Sequence, residues 1–208
     1  FVMGVNPIAC AILPTPRAMG ADIAVGDGQP LGLDTAFGGP YLGFMATTSA
    51  MTRKLPGRIV GQTTDVDGKT GYVLTLSARE QHIRREKASS NICSNQALCA
   101  FAAGVYMAAM GEGGMKQCAR LCTSKAHYFA SELEKAGCTI KYKNEFFHEF
   151  VTEVSCPDCR KKILDALAEN GILGGAEVDG GILWCVTELV SKAQLDRAAQ
   201  IVKEVCAK

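Results

Sequence analysis

The chain has 208 residues, 48% of them hydrophobic and 21% charged, with a formal net charge of +1. That is globular composition, with enough apolar material for a core and one or two domains. The near-neutral balance argues against general nucleic-acid binding and against a polybasic membrane-surface protein, because both need a basic excess.

In chain order, residues 1–7 (FVMGVNP) read as a strand ending at Asn6-Pro7. The strand begins without an initiator Met, and a strand needs neighbours, so the expectation is a piece of a longer protein. Its opening is apolar but uncharged and brief, unlike a secretory leader. Residues 21–25 read as a second strand, left through GDGQPLG, and residues 41–47, after FGGP, as a third. Continuous apolar runs suit a sheet buried on both faces. Glycines bracketing them suit an α/β domain with its ligand at the strands' carboxyl ends. Residues 51–70 read as a polar loop with PGR and DVDGKTG turn signals. Asp65 and Asp67 in that loop lack the ligand run of a calcium site. Residues 72–76 read as a short extended segment.

Residues 78–95 (AREQHIRREKASSNICSN) carry Arg79, His82, Arg84, Arg85 and Lys87, then Ser89, Ser90 and Asn91, at the expected start of a helix near residue 93. A helix start offers unpaired N–H groups and a partial positive charge, which suits an anion such as a phosphate. The pattern equally allows Ser90 or Asn91 as a plain N-cap and the cations as a solvated loop. The longest apolar run, 97–110, is too short to span a membrane and reads as a buried helix stopped by GEGG at 111–114. Residues 115–136 read as a second long helix ending at Gly137. After it come a strand (139–142), a strand (149–154), a helix (157–170), a strand (181–187) and a helix (192–206). That mixed order predicts an α+β domain with helices on one face.

Ten cysteines lie mostly within apolar patterns, which suits buried thiols in a reducing cytoplasm better than a disulfide framework. Cys156-Pro157-Asp158-Cys159 has the spacing of a redox pair or half a zinc site. No second CxxC exists; Cys118 and Cys122, at i and i+4, are equally a helical core stripe. Ser155 and Asp158 fit a helix-entry cap, so the cysteines read as structural and no metal site is assigned. His127, His148, Trp184 and Cys185 read as packing residues.

Four stretches occurring in order are VMGVNPIA (2–9), GADIAVGDGQPLG (20–32), FGGPYLGFMAT (37–47) and REQHIRREKASSNICSNQAL (79–98). Together they resemble the glycine dehydrogenase (decarboxylating), or P-protein, family of the glycine cleavage system. Within it they resemble the N-terminal half, which many bacteria make as a separate alpha subunit, subunit 1. The resemblance runs through essentially the whole chain and is densest over residues 2–110. It implies a C-terminal fragment of that subunit, with the fold-type-I architecture of pyridoxal phosphate enzymes. Residues 1–114 would be the second half of a large α/β domain with a mostly parallel sheet. Residues 115–208 would be a bridging helix and a small C-terminal α/β domain.

The resemblance also implies roles. Pyridoxal phosphate enzymes need a Schiff-base lysine on a loop after a strand. In the catalytic half of the P-protein a His-Lys pair stands there, preceded by an Ala-Asp strand start. Matching that pair to Ala21-Asp22 puts Pro30 at the lysine position, and neither Gln29 nor Leu31 carries an amine. Lys54 lies beyond the next strand. The implied chain therefore has no catalytic residue, and Gln29, Pro30, Gly38 and Gly39 form a vestigial cofactor loop. Gly38 and Gly39 would serve close backbone approach or unusual dihedrals, or simply a tight turn. Ser89, Ser90 and Asn91 would contact the phosphate of a cofactor held covalently by the partner. Arg79, His82, Arg84 and Arg85 would hold the glycine carboxylate, dock the carrier of the lipoyl arm, or pair with acids on the beta subunit. Those three roles stay open. The implied partners are P-protein subunit 2 (beta) in an α2β2 heterotetramer, lipoylated H-protein and glycine, without nucleic acid or membrane, in the cytoplasm. Two alternatives stand beside this: an autonomous fold-type-I enzyme (aminotransferase or cysteine desulfurase-like), or a thiol or zinc module built on Cys156 and Cys159.

Overall fold

The computed structural model describes residues 1–88, 96–154 and 157–207. They fall into two compact units, Phe1–Met110 and Gly111–Lys208.

In the first unit the apolar runs form strands β1 (Val2–Gly4), β2 (Ile23–Asp27) and β3 (Gly43–Thr47). They make one sheet in the order β1-β2-β3. β1 and β2 pair in parallel, Val2 opposite Ile23, while β3 joins antiparallel, Ile23 opposite Thr47. A parallel pair requires a long crossover, and it begins where Asn6 Oδ1 accepts the N–H groups of Ile8 and Ala9. Gly26 marks the closest approach: a Cβ there would lie 2.4 Å from the Val5 carbonyl oxygen. The strands are not buried on both faces among the described residues, since Met45 is 46% exposed.

The expected polar loop over 51–70 contains a strand. β4 (Ile59–Thr64) and β5 (Thr70–Thr75) form an antiparallel hairpin, Val60 opposite Leu74. β4 escapes the period-2 signal because Gly61 and Gln62 interrupt its β-branched residues. Asp65 caps the hairpin loop, its Oδ1 accepting from the Asp67 and Lys69 N–H groups, with Gly68 at φ 78. A single helical turn, α1 (Gln81–Arg84), follows.

α2 (Ala97–Lys135) crosses the division between units and is broken at Gly111, at φ 60 and ψ −178. Its start corrects the expected one near residue 93, because Gln96 directly precedes it outside the helix. Its break corrects the expected stop over 111–114. One residue in a glycine-only region suffices to break a helix, and Glu112, Gly113 and Gly114 resume it. The helix is 39 residues long and contains an 18-residue window of mean hydropathy 1.2, by length and composition enough to cross a membrane. The break divides it, and the apolar part, 97–110, falls short of the roughly 20 residues a span needs.

The second unit adds β6 (Thr139–Ile140), β7 (Glu149–Glu153), α3 (Pro157–Glu169), β8 (Ala176–Val178), β9 (Gly181–Cys185) and α4 (Lys192–Cys206). The sheet is antiparallel throughout, in the order β6-β7-β9-β8. Phe150 and Thr152 on β7 and Ile182 and Trp184 on β9 alternate inward. They share one core with Phe129 and Leu133 of α2, Ile163 and Leu167 of α3, and Leu195 and Val202 of α4. Each such aliphatic side chain contributes about 1.5–3 kcal/mol by leaving water. Strand β8, absent from the sequence reading, is three residues long and enters beside Gly175, where a Cβ would lie 2.1 Å from the Leu183 carbonyl oxygen.

Candidate functional site

At the carboxyl end of β2 the chain turns sharply. Asp27 Oδ1 accepts the Gln29 N–H at 2.7 Å, and the Leu31 N–H donates to the Gly28 carbonyl at 2.9 Å. The Gly28 N–H donates to the Leu42 carbonyl at 2.6 Å, tying the turn to the segment entering β3. A Cβ on Gly28 would lie 2.8 Å from Leu42 Cδ2 and 3.2 Å from the Leu42 carbonyl oxygen, so a side chain there requires Leu42 to shift. Gln29 is half-buried and Pro30 exposed, while Leu31 is buried. No amine stands on this turn: in residues 1–110 the lysines are Lys54, Lys69 and Lys87.

The loop over 37–43 faces an open cavity of 870 Å³ that Gln96, the residue before α2, also lines. Gly38 (φ 103) and Gly39 (φ 151) hold left-handed backbone, and the Gly39–Pro40 peptide is cis. A Cβ on Gly38 would meet nothing within 4 Å, and on Gly39 nothing nearer than 4.0 Å. Of the readings open from sequence, these two glycines therefore serve dihedral freedom, while close approach belongs to Gly26, Gly28 and Gly32. The Gly38 N–H donates to the Tyr41 hydroxyl at 3.2 Å, and Cys99 Sγ, in the first turn of α2, donates to the Pro40 carbonyl at 3.8 Å. The cavity is thus bounded by the start of a helix, where backbone N–H groups have no intrahelical acceptor.

The basic segment is organised by an acid that the sequence reading passed over. Glu80, with only 16% of its side chain exposed, lies 3.6 Å from both Arg58 Nε and His82 Nδ1. Arg84 Nε donates to the Ala78 carbonyl at 3.0 Å. Arg85 is exposed, and its own backbone adopts φ 52. His82 and Arg84 are therefore engaged within their own segment. The side chain of Arg79, and Ser89, Ser90 and Asn91 entirely, lie outside the described residues. The signal for Glu80 was in the sequence, where it and Glu86 are two acids among five cations; its partner Arg58 sits on a remote segment and left none.

In the second unit, an apolar cavity of 440 Å³ lies between β9, α4 and the segment entering β8, floored by Trp184. His127 stacks on Phe146 at 4.0 Å and contacts its carbonyl through Nε2, so it is a packing residue. His148 is half-buried, and burial lowers its pKa against the opposing pull of Glu149 and Glu188. Burial pushes the thiols of Cys122 and Cys138 up to about 12. No disulfide joins the described cysteines. Cys159 sits on α3, and its motif partner Cys156 lies outside the described residues.

Comparison with known proteins gives a consistent set of matches. The family model described as "Glycine cleavage system P-protein" matches residues 1–202. The probable glycine dehydrogenase (decarboxylating) subunit 1 of Desulfitobacterium hafniense is 51% identical over 207 residues, covering 95% of this chain and 46% of that protein. A crystal structure of glycine decarboxylase (P-protein) of the glycine cleavage system, in inhibitor-bound form, superposes with a TM-score of 0.92. It is 41% identical, over 99% of this chain and 48% of that one. A C-DES mutant with glycine covalently linked to its PLP cofactor superposes with a TM-score of 0.59 at 13% identity, over 93% of this chain and 49% of that one, a likeness of fold alone. The chain spans about half the length of the proteins it matches.

Proposed function

The chain belongs to the glycine cleavage system P-protein family, with the fold of the type-I pyridoxal phosphate transferases, and from that membership we propose that it is part of the glycine dehydrogenase subunit that lacks the Schiff-base lysine. The observation that carries the reading is the turn after β2. Asp27 and Gly28 hold this turn, and matching Ala21-Asp22 to the Ala-Asp pair of the family's catalytic half puts Pro30 where an amine would be required.

The residues around the 37–43 cavity fit a phosphate ester better than any reacting carbon. They offer left-handed glycine backbone, the Tyr41 hydroxyl and a helix start. Ser89, Ser90 and Asn91, between the basic segment and α2, would hold the phosphate of pyridoxal phosphate bound covalently on the beta subunit. That cofactor supplies the electron sink that lets glycine lose CO2. This chain's own work is to position it, through two hydroxyls, an amide and the cationic segment. Among the described residues Arg85 and Lys87 are exposed cations free of the segment's Glu80 pairing and could meet an outside group, whereas His82 and Arg84 shape the segment that presents them.

The remaining proposals follow the family. The assembly is an α2β2 heterotetramer in the cytoplasm, and no disulfide joins the described cysteines, of which Cys99, Cys118, Cys122 and Cys138 are buried. It passes the aminomethyl group of glycine to the lipoyl arm of the H-protein. The test is borohydride trapping of pyridoxal phosphate on the full-length subunit, with and without its beta partner. Label on the partner alone is expected; label on this chain would overturn the Pro30 argument. In the assembled heteromer, Ser90→Ala lowers cofactor occupancy on dilution while assembly persists. Unchanged occupancy would remove Ser90 from the phosphate contact.

A further inference from the structure

Cys118 and Cys122 lie one helical turn apart on α2, each 4% exposed. A core stripe accounts for two small apolar side chains at that spacing. It does not account for the carboxylate brought to them. Glu188, on the segment after β9, reaches Cys122 Sγ with Oε2 at 3.3 Å. The two sulfurs and one Glu188 carboxylate oxygen all lie within 4.8 Å of one another. Lys125, on the same helix, donates its Nζ to the Glu188 backbone carbonyl and pins that segment against α2.

We propose that Cys118, Cys122 and Glu188 bind a thiophilic divalent cation of the zinc type. Metal–sulfur bonds of about 2.3 Å and metal–oxygen bonds of about 2.0–2.2 Å put tetrahedral ligand atoms about 3.5–4 Å apart, so closure by no more than about 1 Å completes the set. Binding breaks two S–H bonds, forms two metal–sulfur bonds and one metal–oxygen bond, and releases two protons to solvent. A water fills the fourth position, as three-ligand zinc sites allow. The Lys125 ammonium offsets the net negative charge of a dithiolate-carboxylate set. The sequence spacing had suggested these two cysteines only as a complement to Cys156 and Cys159; the geometry gives them a third donor of their own. All three residues belong to the unit Gly111–Lys208, and none enters the proposed glycine chemistry.

A second set, His148, Glu149 and Cys185, also lies within 4.8 Å, but Glu149 and Cys185 are exposed. It supplies the control. The experiment titrates cobalt(II) into the full-length reduced subunit, freed of metal by chelation and assembled with its partner. The expected result is one equivalent bound, with thiolate-to-cobalt charge transfer and the intensified visible bands of a tetrahedral site. Cys122→Ser abolishes the charge transfer, and Glu188→Gln weakens binding by more than about 100-fold, beyond the cost of altering an outer-shell partner. Cys185→Ser leaves both intact. Absence of charge transfer in the unaltered protein overturns the proposal. So does charge transfer that survives Glu188→Gln at full affinity, or that is lost in Cys185→Ser and kept in Cys122→Ser. If Cys122→Ser does not fold without metal, Glu188→Gln alone decides.

Discussion

Thr152 is fully buried, and its hydroxyl oxygen accepts the indole N–H of Trp184 at 2.8 Å. Replacing it by valine keeps the shape and strands the N–H in the core. Thr152→Val is expected to cost about 1–3 kcal/mol in denaturant unfolding, with Thr152→Ser recovering most of it. His148 gives a pH signature. Its folded pKa is depressed below the ordinary 6.5 by burial, so the unfolded chain takes up the proton first as pH falls. Stability is therefore full above about pH 6.5 and declines as pH drops through the depressed value. His148→Gln should flatten the stability profile over that window; an unchanged slope would assign it to another group. Glu80 holds Arg58 and His82 at 3.6 Å, but both partners are largely exposed. Glu80→Ala should cost under about 1 kcal/mol, while amide exchange over residues 77–88 accelerates because the segment loses its anchor.

At the scale of elements, the termini decide most outcomes. α4 has the bounds read from the sequence, and a capping box fixes its start, Ser191 Oγ accepting the Gln194 N–H and Gln194 Oε1 accepting the Ser191 N–H. Ser191→Ala should lower stability by about 0.5–2 kcal/mol, read from the unfolding midpoint. The break in α2 was misplaced as a four-residue stop because GEGG reads locally as a terminator, whereas only Gly111 leaves helical geometry. Gly111→Ala forces an L residue into a glycine-only region and should cost about 1–3 kcal/mol; a neutral result would mean the helix straightens without penalty. Strand β4 was not legible because Gly61 and Gln62 interrupt its β-branched residues, and the antiparallel direction of β3 was not because it depends on β2, remote in sequence. On the turn after β2, that residues 28–31 carry no amine was legible because it is a matter of residue identity. The Glu80–Arg58 pair and the helix start at Ala97 were not, because they depend on how remote segments meet.

At the scale of the whole molecule, two units of different character share one chain. Gly111–Lys208 encloses a core of aromatic and aliphatic side chains from α2, β7, α3, β9 and α4. Phe1–Met110 leaves large apolar residues outside: Tyr72 at 71%, Leu98 at 76% and Phe101 at 70% exposed. Its sheet ends on β1 and β3, with no further strand beside either among the described residues. Exposed sheet edges and apolar patches drive association. Produced as these 208 residues alone, the chain should self-associate, and light scattering should show a concentration-dependent mass. A monodisperse monomer would show that the open edges and exposed apolar side chains of this unit are tolerated in water.

The turn after β2 carries one more consequence, in terms of selection. Its shape is set by the Asp27 carboxylate, the Gly28 contact with Leu42 and the burial of Leu31, and none of these uses the side chain of residue 30. On the proposed reading that the chemistry resides on another chain, position 30 would stand under relaxed constraint between more constrained neighbours. A saturation library should then accept nearly every residue at 30 while rejecting most at 28 and 31. Drift at such a position leaves no structural scar, so the loss of a catalytic amine would be recorded in the identity of one residue and nowhere in the architecture around it.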